Sequence, residues 1–255
     1  MPELEREDGT RIHFQVRGEG PLLLLTHGYA ATSRMWQKQL ESLSENRRVV
    51  TWDLRGHGQS ICPEDPGAYS LGACAEDMAA LLDHLEAPNA VIAGHSLGGY
   101  LSLFFRIAHP ERVRALILVD TGPGFRQDTE RERWNKRIGR IVAAFEEQGL
   151  AYLDGLGSEA SAAEHDSAEG LIQAARGILV QDDARIIDSL VEIDVPTLVV
   201  VGAKDRPYLA ASDYMAGKIT GARKAVIPDA GHAVNVHQPA AFDREVLGFL
   251  ETIGA

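Results

Sequence analysis

Four apolar runs, at residues 22–25, 49–52, 90–93 and 115–119, set the strongest limit on what this chain can fold into. Each is too short for a separate helix and too continuously apolar for a strand wetted on one face, so each predicts a parallel strand covered on both faces. Helical patterns stand between them. Residues 73–85 place Met78, Leu81, Leu82 and Leu85 on one side, and residues 97–108 follow a Gly-containing turn. Strand and helix in alternation imply right-handed crossovers and a doubly covered sheet, an α/β architecture. The alternation lapses after Asp120 and resumes at 197–201 and 224–227, with a closing helix near 240–252. Ahead of it, segments 3–6 and 11–17 flank Asp8-Gly9, a hairpin dipeptide, so the chain opens antiparallel.

Residues 122–194 are rich in Glu, Arg, Ala and Gln and carry no strand pattern. A structureless loop of that length is uncommon in a compact domain, which predicts a helical insertion, read as a lid over a core made of 1–121 and 195–255. Trp134, Ile138, Ile141, Val142 and Phe145 repeat as one apolar helix face. That face has two destinations, the other lid helices or the crevice above the strands, and the second would make Trp134 a substrate-binding residue. Arg131, Arg133, Lys136, Arg137 and Arg140 read chiefly as a solvated face, with attraction of an anionic substrate as the alternative.

Charge and composition exclude several functions. The 255 residues hold 25 Lys+Arg against 37 Asp+Glu, a net charge of −12, which argues against nucleic acid as a partner. No apolar run approaches the ~18 residues that cross a bilayer, and no membrane partner is expected. The opening Met1-Pro2-Glu3-Leu4-Glu5-Arg6-Glu7-Asp8 is acidic and lacks the pattern of a secretory signal, so a cytoplasmic location is expected. Cys62 and Cys74 offer neither a disulfide framework nor metal-ligand spacing, and His13, His84, His109 and His165 have no acidic or cysteine partners at such spacing. With no G-x-G-x-x-G turn after the first parallel strand and no P-loop, neither metal nor nucleotide cofactor is expected.

The chemistry centres on Gly94-His95-Ser96-Leu97-Gly98, which lies between a strand pattern and a helix pattern, the context of a nucleophile elbow. A serine at the tip of so tight a turn crowds neighbours two residues away, and glycine at both positions relieves the clash. A serine hydroxyl needs a base oriented by an acid, in the chain order Ser, Asp/Glu, His on this architecture. Asp205 follows the strand pattern at 197–201 and His232 follows the last strand, so all three reach the crevice at the carboxyl ends of the strands. Asp120 also ends a strand and is the alternative acid; His237 is the alternative base but leads into the closing helix. The oxyanion donors are assigned to the backbone N–H groups of Leu97, directly after the serine, and Tyr29, in the loop after the first parallel strand. His27 is read as a brace of that loop and His57 as a structural loop residue.

The chain resembles α/β-hydrolase fold proteins of the esterase, lactonase and C–C hydrolase group. The resemblance is carried by His27-Gly28 with Trp36 downstream, by Asp53-Leu54-Arg55-Gly56-His57-Gly58-Gln59-Ser60, and by Gly94-His95-Ser96-Leu97-Gly98-Gly99. It continues through Val195-Pro196-Thr197-Leu198-Val199-Val200-Val201-Gly202 to Asp205, and ends at Gly231-His232. These segments follow one another along the whole chain outside the lid. The resemblance implies the fold and a Ser96, His232, Asp205 triad. Dehalogenases and epoxide hydrolases of this fold use a carboxylate where this chain has Ser96, which leaves acyl transfer to water as the leading class. A small ester, thioester or lactone is the expected substrate, held between sheet and lid. C–C hydrolysis or lyase chemistry on a small carboxylic acid is the first alternative, with the carboxylate held by a lid or pocket arginine. A ligand receptor that keeps the fold is the second.

Overall fold

The computed structural model describes residues 2–61, 64–161 and 163–255, so Cys62 lies outside the described residues, while Cys74 is buried in a helix. The four apolar runs and four further strands form one eight-stranded sheet in the order β1-β2-β4-β3-β5-β6-β7-β8. In chain order these are β1 (Glu3–Glu5), β2 (Arg11–Arg17), β3 (Leu22–Thr26), β4 (Arg48–Trp52), β5 (Ala90–His95), β6 (Val113–Val119), β7 (Thr197–Gly202) and β8 (Arg223–Ile227). The β1–β2 and β2–β4 pairs are antiparallel and the remaining neighbours are parallel.

Every residue of β3, β5 and β7 is buried, because helices cover both faces of the sheet. The pleat divides each strand between two cores. Leu22 and Leu24 of β3 and Ile92 of β5 join the core under the helices Leu71–His84 and Leu97–Ala108. Leu23 and Leu25 of β3 and Val91 of β5 join the core under the closing helix Pro239–Thr252. In that second core the buried ring of Trp36 lies against Phe242, centroids 6.0 Å apart, and ties the loop after β3 to the last helix. The helix read as 73–85 starts at Leu71, because the Ser70 hydroxyl accepts a hydrogen bond from the Ala73 amide at 3.1 Å and so caps the chain two residues earlier.

Between β6 and β7 the described residues form helices and turns and no strand, the longest helix being Asp128–Gln148. Its apolar face divides. Ile138, Val142 and Phe145 are buried against Leu153, Leu171 and Ile172 in a third cluster, while Trp134 stands at its edge, partly buried. Arg131 and Arg133 pair with Asp128 and Glu130 one turn away. Among the described residues, no helix is long and apolar enough to cross a membrane.

Candidate active site

One residue separates β5 from the helix Leu97–Ala108, and it carries the whole change of direction: Ser96 adopts φ 51° and ψ −113°. A non-glycine residue in the left-handed region is strained and persists only where its surroundings impose it. A Cβ on Gly94 would collide with the Gly98 carbonyl, and one on Gly98 with the carbonyls of Thr26 and His27. Glycine at both places therefore lets the elbow close against the end of β3. The Ser96 amide donates to the Val119 carbonyl at 2.9 Å, and its carbonyl accepts from the Thr121 hydroxyl at 2.6 Å.

Asp205 precedes the helix Arg206–Lys218 just beyond β7, and His232 sits on the loop after β8. Their side chains meet Ser96 in a hydrogen-bonded series. His232 Nδ1 lies 2.8 Å from Asp205 Oδ2, and Nε2 lies 3.0 Å from Ser96 Oγ. A carboxylate only accepts, so Nδ1 carries the proton and the Nε2 lone pair accepts from the serine hydroxyl. Burial lowers the His232 pKa, but the Asp205 hydrogen bond and charge, with Asp120 and Glu159 further away, outweigh it and hold the imidazole above its ordinary value. His95 steadies the same loop through a 2.6 Å hydrogen bond from Nε2 to the His232 carbonyl. Burial keeps the His95 pKa down at about 3, so that ring is neutral.

The two alternatives have other partners. Asp120, also at positive φ (43°), accepts from the Gly202 amide on Oδ1 and from the Val234 amide on Oδ2, each at 2.9 Å. It thus joins the end of β7 to the segment following His232, and its oxygens do not bond the imidazole. Burial raises the Asp120 pKa while these two amides oppose the rise. His237 Nδ1 accepts from the Gly231 amide at 3.2 Å, away from the serine.

Leu97 provides the first amide of its helix, one of the N–H groups that have no intrahelical acceptor. The loop after β3 meets the elbow at Gly28, where a Cβ would sit 2.6 Å from His95 Nδ1 and 3.2 Å from Ser96 Cβ. Tyr29 follows directly, with its hydroxyl donating to the Leu171 carbonyl at 2.9 Å, so its ring leaves the site while its backbone stays at the junction. His27 braces this loop by donating from Nδ1 to the Gly28 carbonyl (2.7 Å) and accepting from the Leu54 amide on Nε2 (2.9 Å). Asp53 accepts from the Ser33 and Gln59 amides at 2.7 and 2.9 Å, which holds the loop after β4 against it. His57 lies in that loop, its Nδ1 donating to the Arg55 carbonyl at 2.9 Å.

A cavity of about 220 Å³ opens beside Ser96 and Leu97, with Phe125, Trp134, Leu179 and Tyr208 among its walls. The Trp134 indole N–H donates to the Leu179 carbonyl at 2.8 Å, which fixes the ring at the rim. Ser96, Leu97 and Trp134 thus share one cavity, whereas Asp205, His232 and Tyr29 stand outside its walls. Tyr208 is a member of the site that the sequence reading misses. Its ring stacks on His232, centroids 4.8 Å apart and planes 23° apart. Its place three residues after Asp205, one helical turn on, is the available signal.

Residues 22–245 match the model of the alpha/beta hydrolase family. The chain is 28% identical to 3-oxoadipate enol-lactonase 2 of Acinetobacter baylyi, over 90% of this chain and 88% of that protein. It superposes on a hydrolase from Pseudomonas aeruginosa PA01 with a TM-score of 0.82 at 29% identity, covering 98% and 97% of the two chains. A thermophilic esterase from Thermogutta terrifontis gives 0.81 at 26% identity over 100% of both chains. With most of its length matched and its topology shared, this chain belongs to the alpha/beta hydrolase family.

Proposed function

We propose that this chain is a serine hydrolase that cleaves a small ester, thioester or lactone through an acyl-enzyme. The observation that carries the reading is the Asp205, His232, Ser96 series at 2.8 and 3.0 Å. Ser96 Oγ attacks the carbonyl carbon while His232 Nε2 takes its proton. Asp205 holds the tautomer that leaves Nε2 free and stabilises the imidazolium. The Leu97 and Tyr29 amides receive the oxyanion. His232 returns the proton to the leaving oxygen or sulfur, then activates a water that releases the acid and restores Ser96. These steps draw only on side chains, amides and water. Residues 122–194 act as a lid, with Trp134 contacting the substrate in the cavity beside Ser96. Similar proteins that include an enol-lactonase and an esterase support an ester-type bond.

The test is a panel of p-nitrophenyl esters of graded chain length, with thioesters and lactones, on wild type and Ser96→Ala. Short acyl chains should be preferred, since the cavity is about 220 Å³. Ser96→Ala should lose about 10³-fold or more of the activity. Activity that survives the substitution, or no turnover of any member of the panel, would reject the reading.

A further inference from the structure

A general base has to present one nitrogen to the nucleophile at every turnover, and His232 stands on an irregular loop with 32% of its side chain exposed. The Asp205 bond fixes Nδ1 but leaves the ring free to swing about that contact. Tyr208 removes the freedom, since its ring lies nearly parallel to the imidazole at 4.8 Å. Acid and tyrosine share one rigid turn: the Tyr208 amide donates to the Asp205 carbonyl at 3.0 Å, and Pro207 lies between them at the helix start. One turn therefore presents a carboxylate to the edge of the imidazole and a ring to its face. Tyr208 also lines the cavity together with Ser96.

We propose that Tyr208 is a positioning residue that holds the plane of the His232 imidazole and, through its π face, favours the imidazolium formed during proton transfer. The proposal rests on the serine hydrolase reading above. The other groups facing His232 are Asp205, Asp120 and Glu159, which attract its proton, and neutral His95, whose ring meets it at 4.9 Å and 56°. Replacing Tyr208 by leucine keeps all of them and removes only the aromatic face and the hydroxyl, whereas phenylalanine keeps the face.

The experiment is a nuclear magnetic resonance titration of the labelled His232 imidazole in the full chain, run beside kcat and KM across pH, for wild type, Tyr208→Phe and Tyr208→Leu. Leucine should lower the His232 pKa by about half a unit, a ~3-fold weaker proton affinity, since an aromatic face stabilises a nearby cation. It should lower kcat by ~10-fold with a smaller change in KM, as expected when the base is misoriented. Phenylalanine should recover most of both losses. A leucine variant with the wild-type pKa and kcat would overturn the proposal, as would a phenylalanine variant as impaired as leucine. If leucine does not fold, Tyr208→Met is read by the same outcomes. A wild type that turns over no ester, thioester or lactone would reject the hydrolase reading instead, and the titration would still decide whether Tyr208 controls His232.

Discussion

The strain at Ser96 is held by glycine contacts that leave no room for a methyl group, so a change that helps an ordinary helix should harm this one. Gly139, inside the exposed part of Asp128–Gln148, has nothing within 4 Å of the place a methyl group would occupy, and Gly139→Ala should stabilise the chain by ~0.5–1 kcal/mol. Gly98→Ala adds the same methyl against backbone carbonyls and should destabilise by ~2 kcal/mol or more. Urea unfolding of the pair gives the comparison, and equal signs would contradict the packing argument. The acid can be assigned in the same way. Asp205→Asn should lower kcat/KM by up to ~10⁴-fold through loss of the imidazole tautomer. Asp120→Asn leaves one acceptor for two buried amides, so it should cost ~1–3 kcal/mol of stability and less activity than Asp205→Asn. A larger activity loss at Asp120 would move the acid to β6. His232 must be neutral to accept a proton, and its pKa is raised; kcat/KM should therefore fall on the acid side with a midpoint above the ordinary ~6.5. A midpoint below that value would mean that burial outweighs the Asp205 contact and the nearby acids.

At the scale of elements, the helix Asp128–Gln148 shows where sequence reading stops. Its periodicity marks Trp134, Ile138, Val142 and Phe145 as one face, which helical geometry alone supports. Periodicity does not name the partner, and the face divides between the third core and the cavity rim. Phe145 and Tyr29 meet edge to face at 6.3 Å, so the proposed lid also rests on the loop assigned to the oxyanion. Only Trp134 of this face reaches the cavity beside Ser96, and Trp134→Ala should alter relative rates across ester chain lengths more than the rate on the shortest ester. A parallel loss at every chain length would assign Trp134 to structure alone. The strands are more legible because burial on both faces leaves an unbroken apolar run, as in β3 and β7. Ser96, Asp205 and His232 can be picked out because each follows a strand at the same edge of the sheet. The stack of Tyr208 on His232 joins residues 24 positions apart through tertiary packing, so the spacing of Tyr208 from Asp205 marks the residue but not its partner.

For the whole molecule, a neutral, half-buried histidine ties the segment between β6 and β7 to the loops after β3 and β4. His165, from the helical segment, accepts from the Gly58 amide on Nδ1 and donates from Nε2 to the Ala30 carbonyl, at 3.0 Å each. Both bonds require a neutral ring. Burial lowers the pKa values of His27, His57, His95 and His165, so below the ordinary ~6.5 the unfolded chain binds more protons than the folded one and stability falls as pH falls. His232 acts oppositely, its raised pKa giving stability that is full below ~6.5 and lost as pH rises through the folded value. Asp120, whose pKa burial raises to about 8, acts as His232 does, so four histidines stand against these two, and the free energy of unfolding should drop between pH 7 and 5, at ~1.4 kcal/mol per pH unit for each additional proton taken up on unfolding. A chain as stable at pH 5 as at pH 7 would contradict this balance. The central claim, that Ser96 is a nucleophile activated by His232, is tested most directly by reacting the chain with a fluorophosphonate and locating the adduct by peptide mass spectrometry. The account predicts an adduct on Ser96 that is lost in Ser96→Ala and forms far more slowly in His232→Ala; an adduct on another serine, or equal labelling of the two variants and the wild type, would contradict it.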